Sequence, residues 1–135
     1  MTEDEIIEHG KQVFENCYRG VVPMPAHITK DNYAGLSMKM FHDFWGAFED
    51  DLSMREKRMV VMGTLLKAGD DGMLTIHAEC ALRNGEMNAE TLRKVAIMAL
   101  PYVGYPDASV CYLAIEKVIA KCKADGVDID ADVTG

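Results

Sequence analysis

The chain is cut into helical lengths by its own punctuation. "TEDE" at 2–5 and "SMRE" at 53–56 each place a hydroxyl three residues before a carboxylate, the spacing at which a helix start caps itself reciprocally. Thr29, Asn88 and Asp107 are further N-cap candidates, while Gly20, Gly69, Gly85, Gly104 and Gly126 stand where left-handed helix ends are expected. No stretch between these signals requires a strand. The pattern predicts an all-α fold of six helices over residues 2–19, 30–48, 54–68, 71–84, 89–101 and 107–124. "GVVPMPAHITKD", with two prolines, is a loop between the first two. The closing "GVDIDADVTG" is acidic and β-branched, and is expected as an exposed end or an arm onto a neighbouring subunit.

Helix three, "MREKRMVVMGTLLKA", carries Met59, Val60, Val61, Met62, Leu65 and Leu66 around much of its circumference. That distribution predicts a central helix, buried on more than one side. The chain has ten methionines, which read as adaptable core or subunit interface, and less often as a flexible binding groove.

Length and charge exclude several classes. With 135 residues the chain is expected to form one domain, 1–135, around one core. No apolar run approaches the ~20 residues that a membrane span needs. Fourteen basic against twenty-two acidic side chains give a net charge of -8, and no basic stripe is present to neutralise phosphates, so a nucleic-acid partner is not expected. "MTEDEIIEHG" opens with acids rather than a basic and then an apolar segment, so the expected compartment is the cytoplasm. Cys17, Cys80, Cys111 and Cys122 include no CxxC and are expected as reduced, mostly buried thiols. Cys111 and Cys122 share a predicted helix at a separation of about 16 Å, too far to bridge.

The chemistry-bearing stretch is "TIHAECALRNG", residues 75–85. Stepping 100° per residue puts Asp70, Met73, His77, Cys80, Ala81 and Asn84 on one side of a helix. Glu79 points away, in the i, i+4 order of a solvated ion pair with Arg83. Leu74, Ala78, Ala81 and Leu82 supply the more apolar face, so His77 lies at the border of the packed side. His77 and Cys80 supply two metal ligands where three or four are needed, and His9, His27 and His42 join them only through tertiary placement, so no metal is expected. The bland reading is a partly buried histidine bonded to a neighbouring helix, with Cys80 as a small hydrophobe beside it.

The segments "FWGAFEDDLSMREKRMVVMGTLLKAG" and "IHAECALRNGEMNAETLRKVAIMALPYVGYPDA" resemble the carboxymuconolactone decarboxylase family, which also contains the AhpD-like alkylhydroperoxidases. The markers are Trp45-Gly46, then His77, Ala81, Leu82 and Gly85, then Tyr102, Gly104 and Pro106, together covering roughly residues 40 to 120. The resemblance implies a six-helix orthogonal bundle of the AhpD-like type, assembled as a homo-oligomer, commonly a trimer or hexamer, with active sites near subunit contacts.

The same resemblance implies one of two chemistries. The peroxidase branch carries E-x11-C-x2-C-x3-H; aligned on His77, its cysteine positions fall on Asp70 and Met73 and its glutamate on Arg58. A single-cysteine variant would use Cys80 as nucleophile with His77 lowering its pKa. The decarboxylase branch needs no thiol and no cofactor. Loss of carbon dioxide from a carboxylated lactone sends electrons to the lactone carbonyl, and the enzyme stabilises that oxygen and delivers a proton to carbon. His77, titrating near neutrality, is the candidate general acid. Arg58 or Arg55 could hold a substrate carboxylate by a bidentate contact. His42, Trp45, Tyr102 and Met73 are candidate lining residues, with Tyr105 as a further hydroxyl. The expected partner is a small carboxylated lactone or related acid of aromatic-compound catabolism. A third possibility is a non-enzymatic oligomer that holds an apolar ligand in the family cleft.

Overall fold

A computed structural model describes residues 1–133. Among these it is all-helical, with six α-helices and no strand. The helices are α1 (Glu3–Tyr18), α2 (Tyr33–Met40), α3 (Met54–Ala68), α4 (Asp71–Arg83), α5 (Ala89–Val103) and α6 (Tyr105–Ala124), with a π-helical turn at Phe41–Trp45 directly after α2. The chain divides into two compact units, Met1–Ser53 and Met54–Gly135.

In the first unit, α1 begins at the expected capping box. Thr2 Oγ1 accepts from the Glu5 amide at 3.1 Å, and the Thr2 amide donates back to Glu5 Oε1 at 3.2 Å. The second helix starts at Tyr33 rather than at residue 30. Thr29 and Asn32 first bond to each other in a closed turn, and Asn32 Oδ1 then caps the helix through the Gly35 amide at 2.8 Å. Instead of one helix to residue 48, the backbone widens into the π turn at Phe41, where the Gly46 amide reaches the Phe41 carbonyl at 2.7 Å. Such an inserted residue re-aims the side chains that follow it. Gly10 lets α1 press onto α2, since a Cβ there would overlap the Met38 carbonyl. Phe14, Tyr18 and Phe41 close the packing as an edge-to-face aromatic cluster.

The second unit packs α6 against α4 and α5, and α3 against the same pair. Its core is formed by Met62 and Leu66 of α3, Leu74, Ala78, Ala81 and Leu82 of α4, Leu92 and Ala96 of α5, and Cys111, Ile115, Ile119 and Cys122 of α6. The third helix is buried on one side, through Arg58, Met62 and Leu66, whereas Val60 is 66% exposed. Its broad apolar distribution thus covers a core face and a solvent-facing face, and the expectation of burial on more than one side is not met. Pro101 lies inside α5, which runs on to Val103. Gly104 then starts α6 with Pro106 in its first turn, so Asp107 is a first-turn acid rather than the cap.

The acidic tail also departs from expectation. Val127 and Ile129 pack on the core, the Ile129 carbonyl accepts from the Ala89 amide at 2.8 Å, and Ala131 accepts from Asn88 at 3.0 Å. The β-branched positions bury themselves against their own unit. Thr134 and Gly135 lie outside the described residues. No described helix is long and apolar enough to cross a membrane. All four cysteines are buried thiols outside any disulfide.

Candidate functional site

The second unit contains two buried side chains that are neither apolar nor small. Arg58 is 0% exposed and His77 is 3% exposed. A buried guanidinium requires a counter-charge and full hydrogen bonding. Glu86 supplies the counter-charge, accepting from Arg58 Nε through Oε1 and from Nη2 through Oε2, both at 2.9 Å. This is the bidentate fork in its favourable geometry.

Two chain features deliver Glu86 to that position. The helix α4 ends at Asn84, Gly85 takes a left-handed φ of 69°, and the Glu86 amide turns back to the Ala81 carbonyl at 2.9 Å. Met87, which follows, is buried in the core and anchors the turn. The Asn84 amide group adds a 3.3 Å bond to Glu86 Oε2.

Arg58 then reaches His77. Its Nη1 lies 3.0 Å from His77 Nδ1. A guanidinium has donors and no acceptor, so Nδ1 accepts and the neutral ring carries its hydrogen on Nε2. Burial first, and the Arg58 cation second, push the imidazole down from the ordinary 6.5 to about 4. The expectation that His77 titrates near neutrality is therefore not met. At neutral pH the ring is a fixed, uncharged hydrogen-bond donor.

The remaining predicted residues divide by position. Arg58 is not disposed toward a substrate carboxylate, because Glu86 occupies its fork. Arg55, one turn earlier on α3, is half-buried, and its Nε has no hydrogen-bond partner among the described residues. Cys80, on α4 with His77, is 0% exposed, so the single-cysteine nucleophile is shielded from a peroxide in solution. Met73 is partly exposed on α4, and Tyr102 is 76% exposed at the end of α5. His42 and Trp45 belong to the π turn of the first unit, where His42 pairs with His9. Of the catalytic set, the fold brings Arg58 and His77 into contact.

The i, i+4 pair of Glu79 and Arg83 forms at 2.8 Å, and Lys121 and Asp125 from the other end of the unit join it. It ties α4 to the end of α6 on the face away from His77.

Two apolar grooves open on the second unit. One, of about 430 Å³, lies between α5 and α6 and is lined by Ile97, Leu100, Tyr105, Ala108, Tyr112 and Leu113, among others. The other, of about 450 Å³, lies between α3 and α5, with Met59, Gly63, Val95, Met98 and Tyr102 on its walls. Neither is lined by His77, Arg58 or Cys80.

Sequence reasoning missed Glu86. The available signal was physical: an arginine four residues before a buried methionine on a core helix needs a carboxylate, and "NGE" places one just past a helix end. The chain matches no known protein-family profile, no curated protein and no solved structure.

Proposed function

We propose that the protein acts like a γ-carboxymuconolactone decarboxylase, as a cofactor-independent carboxy-lyase on a small carboxylated lactone or related acid. The observation that carries this reading is the 3.0 Å contact of Arg58 Nη1 with His77 Nδ1, which fixes the neutral His77 as an Nε2–H donor. In the proposed step the bond from ring carbon to carboxylate breaks, its electron pair moves through the conjugated system to the lactone carbonyl, and carbon dioxide leaves. His77 Nε2–H stabilises the enolate oxygen as charge develops there, which requires that substrate binding uncover a ring only 3% exposed in the free chain. A neutral imidazole suits this role, because its hydrogen bond strengthens with the developing charge without surrendering the proton. Water then protonates the carbon. Arg55, with its partnerless Nε, holds the substrate carboxylate. His77 is thus an electrophile rather than the proton donor that the sequence suggested.

The same reading carries the AhpD-like orthogonal bundle and a cytoplasmic homo-oligomer, a trimer or hexamer. It is supported by the all-α second unit and by the large apolar side chains that α5 and α6 leave exposed, Ile97, Met98, Tyr105 and Leu113. The test is ultraviolet-monitored turnover of γ-carboxymuconolactone by the wild type and by Arg55→Met. Turnover with a raised KM in the variant supports the assignment, and absence of turnover in the wild type overturns it.

The two grooves favour a second reading, a non-enzymatic oligomer that binds a small apolar ligand. Their walls include Met, Leu, Ile and Tyr side chains, which adapt to such a ligand. Binding of a fluorescent apolar probe that Met98→Lys abolishes, without any turnover, would place the function there.

A further inference from the structure

His9 and His42 are 33 residues apart, on α1 and on the π turn, yet their Nδ1 atoms lie 2.8 Å from each other. The rings stand edge-on at 85°, with centroids 4.9 Å apart. Gly46 makes room for this arrangement, since a Cβ there would come within 3.0 Å of His9 Cε1. Each outer nitrogen faces a carboxylate: His9 Nε2 lies 3.7 Å from Glu49, and His42 Nε2 lies 3.9 Å from Asp43. The order is carboxylate, imidazole, imidazole, carboxylate.

That order is the one found around metal-bound histidines, whose second nitrogen is oriented by a carboxylate. The separation also admits a shared ion. The 2.8 Å between the Nδ1 atoms is a hydrogen-bond length in the ion-free chain, and two imidazole nitrogens on one ion at about 2.0–2.1 Å sit about 2.8–3.3 Å apart, so small ring rotations bring both onto it. Imidazole holds Cu(II) most strongly among the first-row divalent ions, with Ni(II) next to it in the series. From these observations we propose that His9 and His42 form a two-histidine site for a first-row divalent ion, Cu(II) or Ni(II).

Without an ion, one Nδ1 carries a hydrogen and donates it to the other. On binding, that hydrogen moves to the Nε2 of the same ring, toward its carboxylate, and both Nδ1 lone pairs turn onto the ion. The χ2 torsion of histidine is broad enough to allow this rotation. No group of three His, Cys, Asp or Glu among the described residues is arranged to hold an ion, so water completes the coordination. Both side chains are partly open to solvent, at 31% and 23%, which admits the ion and leaves positions for an exogenous ligand.

The test is titration of chelator-treated full-length protein with Cu(II) at pH 7, read by calorimetry and by electron paramagnetic resonance. The expected result is one tetragonal Cu(II) per chain, with hyperfine coupling to two imidazole nitrogens. His9→Gln and His42→Gln, which keep a hydrogen-bonding side chain, lose the two-nitrogen signal, while His27→Gln, at an exposed histidine, retains it. A wild-type spectrum showing one imidazole nitrogen or none, or a two-nitrogen signal that persists in either glutamine variant, overturns the proposal. The wild-type spectrum alone decides the matter if a variant fails to fold.

Discussion

Replacing Glu86 by alanine removes the carboxylate that holds both Nε and Nη2 of a guanidinium with no exposed surface. Deleting one partner of a buried ion pair costs about 3–5 kcal/mol, because the remaining charge keeps its desolvation penalty and loses its compensation. Stability of a domain this size is typically about 5–15 kcal/mol, so the loss is a large fraction of the total. Arg58→Met acts differently. It removes the cation and leaves an apolar chain of similar length in the core, while Glu86, 9% exposed, retains Asn84 and turns toward water. Replacing the whole pair by apolar groups is often neutral, so the double variant Arg58→Met with Glu86→Gln should be more stable than Glu86→Ala alone. Urea unfolding followed by circular dichroism, with equal m-values, measures all three. If Glu86→Ala lowers stability by under about 1 kcal/mol, or if the double variant is the worse of the two, the fork is not a compensated buried pair and the argument fails.

The His77 imidazole is held at about 4 in the folded chain against an ordinary 6.5, so the unfolded state binds more protons between these values. Stability therefore falls as pH drops from about 6.5 to 4, by on the order of 3 kcal/mol; His77→Gln flattens that slope, and an unchanged slope in urea titrations would refute the assignment. Gly10→Ala drives a methyl group into the Met38 carbonyl and should destabilise the first unit by about 1–3 kcal/mol, visible as loss of amide-exchange protection in α1 and α2 while α4 and α6 keep theirs. Cys80, with no exposed surface, should resist alkylation in the native protein and react only on unfolding; rapid native labelling traced to Cys80 by mass spectrometry would reopen the thiol chemistry.

Local signals made the helices readable. The capping box at Thr2, the Asn88 cap and the positive-φ glycines act within four residues, and each is where the sequence indicates. What went unread depends on partners distant in the chain, on backbone energetics or on which of two neighbouring cap residues starts the helix. The π turn has no single-residue signature, and the start of α2 shifted because Thr29 and Asn32 satisfy each other before the helix begins. His77 lies deeper than the amphipathic edge that helical stepping assigns to it. Helical stepping gives direction, but the loop returning from Gly85 with Glu86 determines that Arg58 and His77 are covered together. The His9 pairing with His42 is likewise a contact between two elements, invisible to spacing along one of them.

In the proposed reaction His77 is a neutral, oriented donor at the reacting oxygen. The most direct measurement is turnover of γ-carboxymuconolactone from pH 5 to 9 by the wild type, His77→Gln and His77→Ala, with ¹⁵N resonances of the His77 ring recorded over the same range. The expected result is an Nε2–H neutral ring throughout, turnover that does not titrate near pH 6.5 through this residue, partial activity in the glutamine variant, which keeps an N–H donor, and near-complete loss in the alanine variant. A His77 ring that protonates near pH 6.5 in step with activity, or an alanine variant as active as the wild type, would contradict it.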